Sequence, residues 1–598
     1  MRISKISIKN FANFSDFQVY TGDSLVIVGE NKVGKSNLIF ALQLVLDPSL
    51  SERDRMLTLD HFWDGLGDEK MGATVEISVD LTDYDRDPSL IAHLGDCIIS
   101  PGPPMVSRVT YRFQPKGDLE GEPASLADYE YIIFGGSDPD NSVSSTLRRM
   151  LPLDVLGALR DAEKDLATWH RSPLRPLIKS MAENMGETER KKIESEIDVA
   201  QAQLIAHNGV QSTAQTISRR LIEIVGGQHA SSLSLGLSPV KADTLLQALR
   251  ILIDNGSRGI DEASLGTSNL IFLTLKSLEF DRLAEDGARN HTFLAVEEPE
   301  AHLHPHVQRL VYKYFLEADS SRRRREASPS RLTTILTTHS PHIASVAPLR
   351  SLVLLRHDAE TSSTWGASTA QAPLTADEEA DLQRYVDVTR GELFFARGVV
   401  LVEGEAERFL VPAFAEALGI HLDVLGISVC SVAGTNFAPY VKLLGSGGLN
   451  IPYVILTDRD LVAGSLPRSV GRIQRLLGIV DPAHTYEELD ERSTFIYGTQ
   501  RGFFVNDDTL EIDLFKSGLS EDMQTIILEE LPRLVQTTKD ALEGWVEDPD
   551  TLDKERLLKL IDRVSKGRFA QRLASLVDTA SCPAYIREAL EKIRDEVS

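Results

Sequence analysis

Strand-like and helix-like hydrophobic patterns alternate over the first 46 residues. Ile6 and Ile8 share one face of a predicted opening strand, and the apolar run SLVIVG at 24–29 predicts a buried strand. Apolar residues then recur at helical spacing between Leu38 and Leu46. Further strands are predicted at 73–82, 107–113 and 130–134. The pattern indicates an α/β domain that begins near the first residue.

Changes of pattern farther along predict the domain organisation. Charged, mostly glycine-free stretches indicate a helical insertion that either mediates dimerisation or caps the first domain. A stretch poor in large apolar residues predicts a linker. The predicted segments are α/β at 1–152 and 226–357, the helical insertion at 153–225, the linker at 358–390, a βαβαβ series at 391–520 and a helical extension at 521–598.

Composition limits the classes of protein that fit. A chain of 598 residues is long enough for two to four domains. No apolar run is long enough to cross a bilayer, the opening lacks the apolar core of a signal peptide, and three scattered cysteines favour a reducing cytoplasm. The net charge of −26 argues against a passive coat for nucleic acid. Contact with DNA would need local basic patches or metal ions held by carboxylates.

A phosphate-binding loop follows the second predicted strand. The segment GENKVGKS fits G-x-x-x-x-G-K-[ST] between a predicted strand and a predicted helix. Backbone N–H groups of such a loop surround phosphates, the lysine neutralises β/γ charge and the serine binds Mg²⁺. The predicted nucleotide-binding residues of this segment are Gly29, Asn31, Gly34, Lys35 and Ser36.

Three later segments can complete this nucleotide site. A predicted strand ends in Glu297, placed for the Mg²⁺ shell, and Glu298, placed to polarise the attacking water. Another strand delivers His339, which can sense the γ-phosphate; a lone histidine is otherwise an ordinary core residue. Ser264–Asn269, with Ser264 and Gly266 as the predicted contacts, precedes an apolar helix whose start suits the phosphate of a second nucleotide.

The βαβαβ series carries a second group of acids. One predicted strand ends in Glu403, with Glu407 in the first turn of the next helix, and another ends in Asp458 and Asp460. Carboxylates at the ends of neighbouring parallel strands converge on one crevice, and their mutual repulsion implies divalent metal. Hard oxygen ligands favour Mg²⁺ or Mn²⁺. The alternative is a set of unrelated acids at solvated strand ends.

These motifs resemble known families. The order of phosphate loop, helical insert, Ser264–Asn269, EEPEAHLHP and THS resembles the ABC-type ATPase heads of the SMC-like class. The segments GVVLVEGEAERFLVP, AGTNF and LTDRDL resemble a Toprim domain. The combination resembles the overcoming-lysogenization-defect (OLD) family of ATP-dependent endonucleases. The implied fold class is α/β: an ABC/SMC-like head with a helical insertion, then a Rossmann-like Toprim domain with a helical C-terminal extension.

The resemblance implies cleavage of DNA phosphodiester bonds by two metal ions, served by an ATP-binding dimer or larger homo-oligomer. It implies Glu511 as a further metal ligand and Lys566 as support for the transition state, beside the four acids named above. It also implies a role in defence against phage or other foreign DNA. A helicase-like or retron partner, as in Gabija-type relatives, stays open, and no membrane partner is expected.

Two other functions fit parts of the pattern. An SMC-like repair or maintenance ATPase would use Toprim only to bind DNA, which does not require Glu403 together with Asp458 and Asp460. A topoisomerase would need a tyrosine in a separate DNA-gate domain, for which the chain has no evident room. The run Arg322–Arg325 is the densest basic cluster and is either a phosphate contact or an exposed helix end.

Overall fold

A computed structural model describes residues 1–157, 162–168, 170, 172–225, 231, 233–237, 241–285, 289–325, 332–344, 346–386 and 391–598. They form two compact units. The first comprises Met1–Gly157, Asn290–Glu300 and Pro305–Ser598, and the second comprises Ala158–Arg289 and Ala301–His304. No helix among the described residues is both long and apolar enough to cross a membrane.

The strands are numbered in chain order over the described residues. They are β1 Arg2–Phe11, β2 Phe14–Tyr20, β3 Leu25–Gly29, β4 Val75–Thr82, β5 Ile98–Ser100, β6 Val106–Pro115, β7 Tyr129–Gly135, β8 Leu153–Leu156, β9 Leu252–Ile253, β10 Arg258–Gly259, β11 Thr292–Glu297, β12 Leu332–Thr338, β13 Leu352–Asp358, β14 Ser363–Ser368, β15 Gly398–Val402, β16 Ile427–Ser431, β17 Tyr453–Thr457 and β18 Phe503–Val505.

The α-helices of the described residues are divided between the two units. Those of the first unit are Lys35–Leu46, Glu52–Arg55, Pro88–Leu94, Ser145–Met150, Pro305–Arg325, Pro341–Ala344, Ala376–Tyr385, Glu405–Ala417, Leu422–Leu425, Ala438–Leu444, Arg468–Val480, Glu491–Gln500, Leu510–Leu514, Ser520–Glu530, Gln536–Glu547, Lys554–Val564, Lys566–Leu573 and Ala584–Val597. Those of the second unit are Ala162–Ala167, Leu174–Asn184, Glu187–Ala206, Asn208–Val225, Ala242–Gln247 and Leu265–Glu285.

Two sheets build the N-terminal part of the first unit. The antiparallel sheet has the order β2-β1-β4-β6-β5, with β7 also paired to β6. The other sheet has the order β14-β13-β3-β12-β11-β8, parallel except for the antiparallel pair β13–β14. The helix Lys35–Leu46 packs its buried apolar face into the same core as both sheets. The neighbouring strands β3, β12 and β11 therefore end along one edge, where the predicted nucleotide residues follow.

The C-terminal sheet has the order β16-β15-β17-β18 and is parallel throughout. Its strands are short apolar runs with both faces covered, as parallel sheets require. The apolar faces of the tail helices share one core with the sheet, including the fully buried Ile527, Leu557 and Leu590. The predicted α/β class, with a helical extension at the C-terminus, is confirmed.

The structure differs from the predicted segments in two places. Residues 153–156, expected to begin the helical insertion, form β8, which pairs in parallel with β11. The short apolar run LDVL has no helical period to distinguish it, and its pairing with β11 decides its conformation. The second unit begins at Ala158 and includes the helix Leu265–Glu285, which was expected in the ATPase part.

The expected linker at 358–390 also contains regular structure. Residues 363–368 form β14, paired with β13, and Ala376–Tyr385 is a helix with a capping box at Thr375. Thr364 donates from Oγ1 to the carbonyl of Val33 in the phosphate loop, at 3.0 Å. Short polar residues thus serve as an edge strand that supports the loop. Residues 387–390 lie outside the described residues.

Candidate functional site

The phosphate loop is held by its own backbone and by a neighbouring loop. Gly34 has φ 97°, and a Cβ there would lie 2.1 Å from Nδ2 of Asn13, so only glycine fits. Asn13 in turn donates to the carbonyl of Val33 at 2.7 Å. Asn31 and Ser36 are exposed. The loop therefore presents these polar groups to solvent, where phosphates can reach them.

Lys35 is buried, and its ammonium group contacts other residues of the nucleotide site. Its Nζ donates to the carbonyls of Gly29 at 3.0 Å and Glu30 at 2.8 Å, and lies 3.4 Å from Nδ1 of His339. Burial lowers the pKa of Lys35, and the nearby Glu298 and Glu300 oppose that shift. The ammonium group is thus already placed beside the loop, where a phosphate can replace the carbonyls as its partner.

The predicted water-polarising glutamate and the histidine meet. Nε2 of His339 lies 3.0 Å from Oε1 of Glu298. Glu298 has φ 45°, a left-handed conformation that is uncommon for a glutamate, and its N–H donates to the carbonyl of Thr337 at 3.1 Å. Backbone conformations of this kind are concentrated at functional sites. Glu297 is the last residue of β11, beside Glu298, and its role at a metal ion stays a prediction.

Glu300 is a member of this site that sequence reasoning did not assign. Its Oε1 accepts from the hydroxyl of Thr338 at 2.7 Å and from the N–H of His339 at 2.9 Å, and its Oε2 accepts from Tyr312 at 2.8 Å. It therefore fixes the end of β12 and the backbone of His339. The signal was present in the sequence EEPE, but which of its acids faces the site depends on the turn after β11.

The second unit carries Ser264–Asn269 at the start of a 21-residue helix. A Cβ at Gly266 would lie 2.7 Å from the carbonyl oxygen of His302, so this approach also requires glycine. Ser268 and Asn269 are fully buried. Among the atoms of the described residues, Oγ of Ser268 and Oδ1 of Asn269 have no hydrogen-bond partner. The nucleotide contact predicted for Ser264 and Gly266 stays a prediction.

In the C-terminal domain the strand ends bring the predicted acids together. Oε1 of Glu403, after β15, accepts from the N–H of Asp458, after β17, at 3.0 Å, and also from the hydroxyl of Thr457. Burial together with Glu403, Glu407 and Glu511 raises the pKa of Asp458 to about 8. Burial likewise raises the pKa of Glu407. These carboxylates are close enough to repel one another.

Two cations lie among these acids. Nη1 of Arg472 donates to Oε1 of Glu403 at 2.8 Å, and its Nη2 donates to Asp460. Nζ of Lys566 lies 2.8 Å from Oε1 of the buried Glu511. Its support of a transition state stays a prediction. Within the described ranges, no three of the histidine, cysteine and acidic side chains are arranged to hold a metal ion. The donor set of hard oxygens nevertheless suits Mg²⁺ or Mn²⁺.

Asn506 and Arg472 are site residues that the sequence reasoning missed. Asn506, after β18, donates to Oδ1 of Asp458, which also accepts from the N–H of Leu510 at 3.1 Å. Glu403 was identified because it directly follows an apolar run. The same pattern marks Asn506, which directly follows the apolar run FFV of β18. No local signal marks Arg472, which reaches the site from the helix Arg468–Val480.

A cavity of about 690 Å³ lies between the phosphate loop and the C-terminal domain, within the first unit. On its wall, Arg397 binds both carboxylate oxygens of Glu30, with Nε at 3.0 Å and Nη2 at 3.2 Å. Arg356 donates to the carbonyl of Ala396. Burial lowers the pKa of Arg356 to about 10, and Glu30 opposes that shift. The residue after Arg397 is the first of β15, the strand that ends before Glu403.

Comparison with known proteins places these two sites in known domain families. Residues 394–460 match the family described as overcoming lysogenization defect protein-like, TOPRIM domain. Residues 1–147 and 154–344 match the AAA ATPase domain family. In general, ATPase domains use a nucleotide and Toprim domains use divalent metal ions.

Individual relatives cover most of the chain. It is 22% identical to an OLD nuclease of Thermus scotoductus over 77% of this chain and 82% of that protein. It is also 22% identical to the endonuclease GajA of Bacillus cereus strain VD045, over 94% of this chain and 95% of that protein. A solved C-terminal region of the Xanthomonas campestris pv. campestris OLD protein is 57% identical and covers 34% of this chain and 97% of its own length, with a TM-score of 0.33.

The raised pKa of Asp458 predicts a pH-dependent stability for the metal-free protein. The folded state holds the Asp458 proton more tightly than the unfolded state, so the free energy of unfolding should fall as pH rises from 3.8 towards about 8. The slope from this group is at most about 1.4 kcal/mol per pH unit. Asp458→Asn should remove it, as measured by urea unfolding with EDTA between pH 5 and 8.

The exposed Asp507 supplies the control for this measurement. Asp507→Asn should keep the pH dependence of the wild type. If the curves for Asp458→Asn and the wild type run parallel, the electrostatic account of the site is wrong.

Proposed function

The chain belongs to the overcoming-lysogenization-defect family, as its motifs predicted, and we propose that it is a metal-dependent DNA endonuclease controlled by an ATPase head. The observation that carries the proposal is the meeting of Glu403, Asp458 and Asp460 at the ends of adjacent parallel strands, with Glu407 and Glu511 beside them. A domain that only bound DNA would gain nothing from this concentration of negative charge.

The residues of the C-terminal site have separate roles in this proposal. Glu403, Glu407, Asp458, Asp460 and Glu511 would hold two divalent ions, Mg²⁺ or Mn²⁺. Bound ions of this kind lower the pKa of an attacking water and offset negative charge on the leaving oxygen. Lys566 is half exposed, so it can contact a phosphate oxygen of DNA while it remains near Glu511. Asn506 and the N–H of Leu510 hold Asp458 in one orientation.

The head residues would bind and hydrolyse ATP. Lys35 and Ser36 would contact the phosphates and their Mg²⁺, with Glu297 nearby at the end of β11. Glu298 would accept a proton from the attacking water, and His339, 3.0 Å away, would hold the Glu298 carboxylate in place. Ser264 and Gly266 of a second copy would complete the site, which makes a homodimer or larger homo-oligomer part of the proposal.

The family supports a biological setting for the proposal. Relatives with both domains are named nucleases and endonucleases. We assign this chain a role in the cytoplasm in defence against phage or other foreign DNA, with DNA as substrate. The first experiment is cleavage of supercoiled and linear DNA by the purified protein, with Mg²⁺ or Mn²⁺ and with or without ATP. Intact DNA under all these conditions would reject the proposal.

Replacing Asp458 by alanine should abolish cleavage and leave ATP binding intact. Asp458 lies at the C-terminal sheet, whereas ATP binding depends on the phosphate loop at the end of β3. We expect a loss of at least about 100-fold in the cleavage rate, measured beside nucleotide affinity. Asp507→Ala, an exposed acid near the same site, is the matched control. Wild-type cleavage by Asp458→Ala would remove the nuclease assignment.

Two head variants separate ATP binding from ATP hydrolysis. Glu298→Gln should bind ATP but hydrolyse it at least about 100-fold more slowly, because it keeps the size of the side chain and loses the base. Lys35→Ala should lose hydrolysis because the charge over the β/γ-phosphates is gone. Unchanged turnover in Lys35→Ala would contradict the site assignment.

The same variants test whether ATP controls cleavage. A long-lived ATP complex in Glu298→Gln should hold two heads together, so ATP should inhibit its cleavage more strongly than that of the wild type. The measurement is cleavage rate against ATP concentration, with Lys35→Ala as the control that lacks a response. Flat curves for all three proteins would show that the head does not control the nuclease.

A further inference from the structure

Arg472 lies inside the carboxylate site of the C-terminal domain. Its Nη1 donates to Oε1 of Glu403 at 2.8 Å and its Nη2 donates to Asp460. Nη1 also contacts the hydroxyl of Thr457 and the carbonyl of Asp458, the latter at 3.3 Å. The side chain is 12% exposed, whereas those of Glu403 and Asp460 are 16% and 33% exposed. The guanidinium is therefore part of the site.

The position of this side chain has an electrostatic reason. Glu403 and Asp460 follow different strands, and several further acids lie within range of Asp458. Without a cation between them, their negative charges would push the ends of β15 and β17 apart. A guanidinium has a planar fork of donors that can bind two carboxylates at once, which the single ammonium of lysine does less well.

The same contacts bear on metal binding. The carboxylates that Arg472 binds are two of the proposed ligands, and in the described residues no three acidic, histidine or cysteine side chains form a set that could hold an ion. The guanidinium directs oxygens of Glu403 and Asp460 towards itself. A divalent ion that takes both carboxylates must therefore displace Arg472 or share them with a positive charge.

We propose that Arg472 is a positioning residue that acts as an internal counter-cation: it holds Glu403 and Asp460 together in the metal-free protein and competes with a divalent ion for them. This inference rests on the proposed use of these acids as metal ligands. The protein keeps its strand ends assembled before metal arrives, and its affinity for metal is set below the value that the acids alone would give.

The competition predicts an order of metal affinities. Arg472→Gln removes the charge, and the repulsion that it exerts on a doubly charged ion a few ångströms away is worth more than a factor of ten at the effective dielectric constant of a protein. The substitution also removes the contacts that orient the two acids, which offsets part of this gain. We expect Mn²⁺ to bind Arg472→Gln at least about tenfold more tightly than it binds the wild type. Arg472→Lys keeps a charge that bridges the acids poorly, so its affinity should lie between those of Arg472→Gln and the wild type.

The experiment is calorimetric titration of the full-length protein with MnCl₂, without DNA or nucleotide. Arg475 lies three residues farther along the same helix and is exposed, so Arg475→Gln is the matched control and should bind Mn²⁺ like the wild type. Weaker or unchanged binding by Arg472→Gln would overturn the proposal. Equal affinities of Arg472→Lys and Arg472→Gln would also overturn it, because charge would then not be the cause.

Thermal unfolding supplies a second readout if Arg472→Gln does not fold. Metal-free Arg472→Lys should melt below the wild type, and saturating Mn²⁺ should narrow that difference in Tm, because the bound ion replaces the bridge. A purely structural arginine would leave the difference unchanged. None of these measurements involves DNA cleavage. A wild type that does not cleave DNA would therefore reject the proposed function separately. If neither the wild type nor Arg472→Gln binds Mn²⁺, the role of Arg472 as a counter-cation is rejected.

Discussion

Repulsion among carboxylates at the ends of neighbouring parallel strands is the constraint around which the C-terminal domain is organised. Parallel pairing of β15 with β17 brings the Glu403 carboxylate within hydrogen-bonding distance of the backbone N–H of Asp458. Hydrogen-bond donors and the cations Arg472 and Lys566 reduce this repulsion. Protonation reduces it further, since the pKa of Asp458 rises to about 8. Each of these responses is suited to a site that receives divalent cations.

The head uses the same arrangement of strand ends for a different chemistry. The strands β3, β12 and β11 are neighbours in the sheet. The residues that follow them therefore lie along one edge: the phosphate loop after β3, His339 after β12 and Glu298 after β11. Two acids that follow strands have positive φ: Glu298, directly after β11, at 45° and, in the other domain, Asp460, the third residue after β17, at 54°. Such conformations cost about 1–3 kcal/mol each and persist where the surrounding structure fixes them. Both candidate sites therefore carry a comparable backbone cost at one of their acids.

Site residues that lie next to a predicted strand can be identified from the sequence, whereas residues that the fold brings in from distant helices cannot. The phosphate loop, Glu403 and Asp458 follow apolar runs directly, so a local rule finds them. Arg472 comes from a helix whose register relative to the strands is set by packing, and no spacing along the chain encodes that. Residues 153–156 were misassigned because this short run acquires strand structure through β11, which is distant in sequence. Residues 363–368 pair with the neighbouring β13, but their short polar side chains give no apolar strand pattern.

The contact between Arg397 and Glu30 couples the phosphate loop to the C-terminal domain. Both side chains are more than half exposed, so the pair alone contributes about 1 kcal/mol or less. Arg356, however, is half-buried near Glu30, and loss of that acid would leave a partly desolvated cation without its anionic neighbour. A head with an uncharged residue at position 30 would therefore disturb the start of the strand that leads to Glu403. Heads and nuclease domains are thus not interchangeable parts, and recombination between relatives should preserve them as matched pairs.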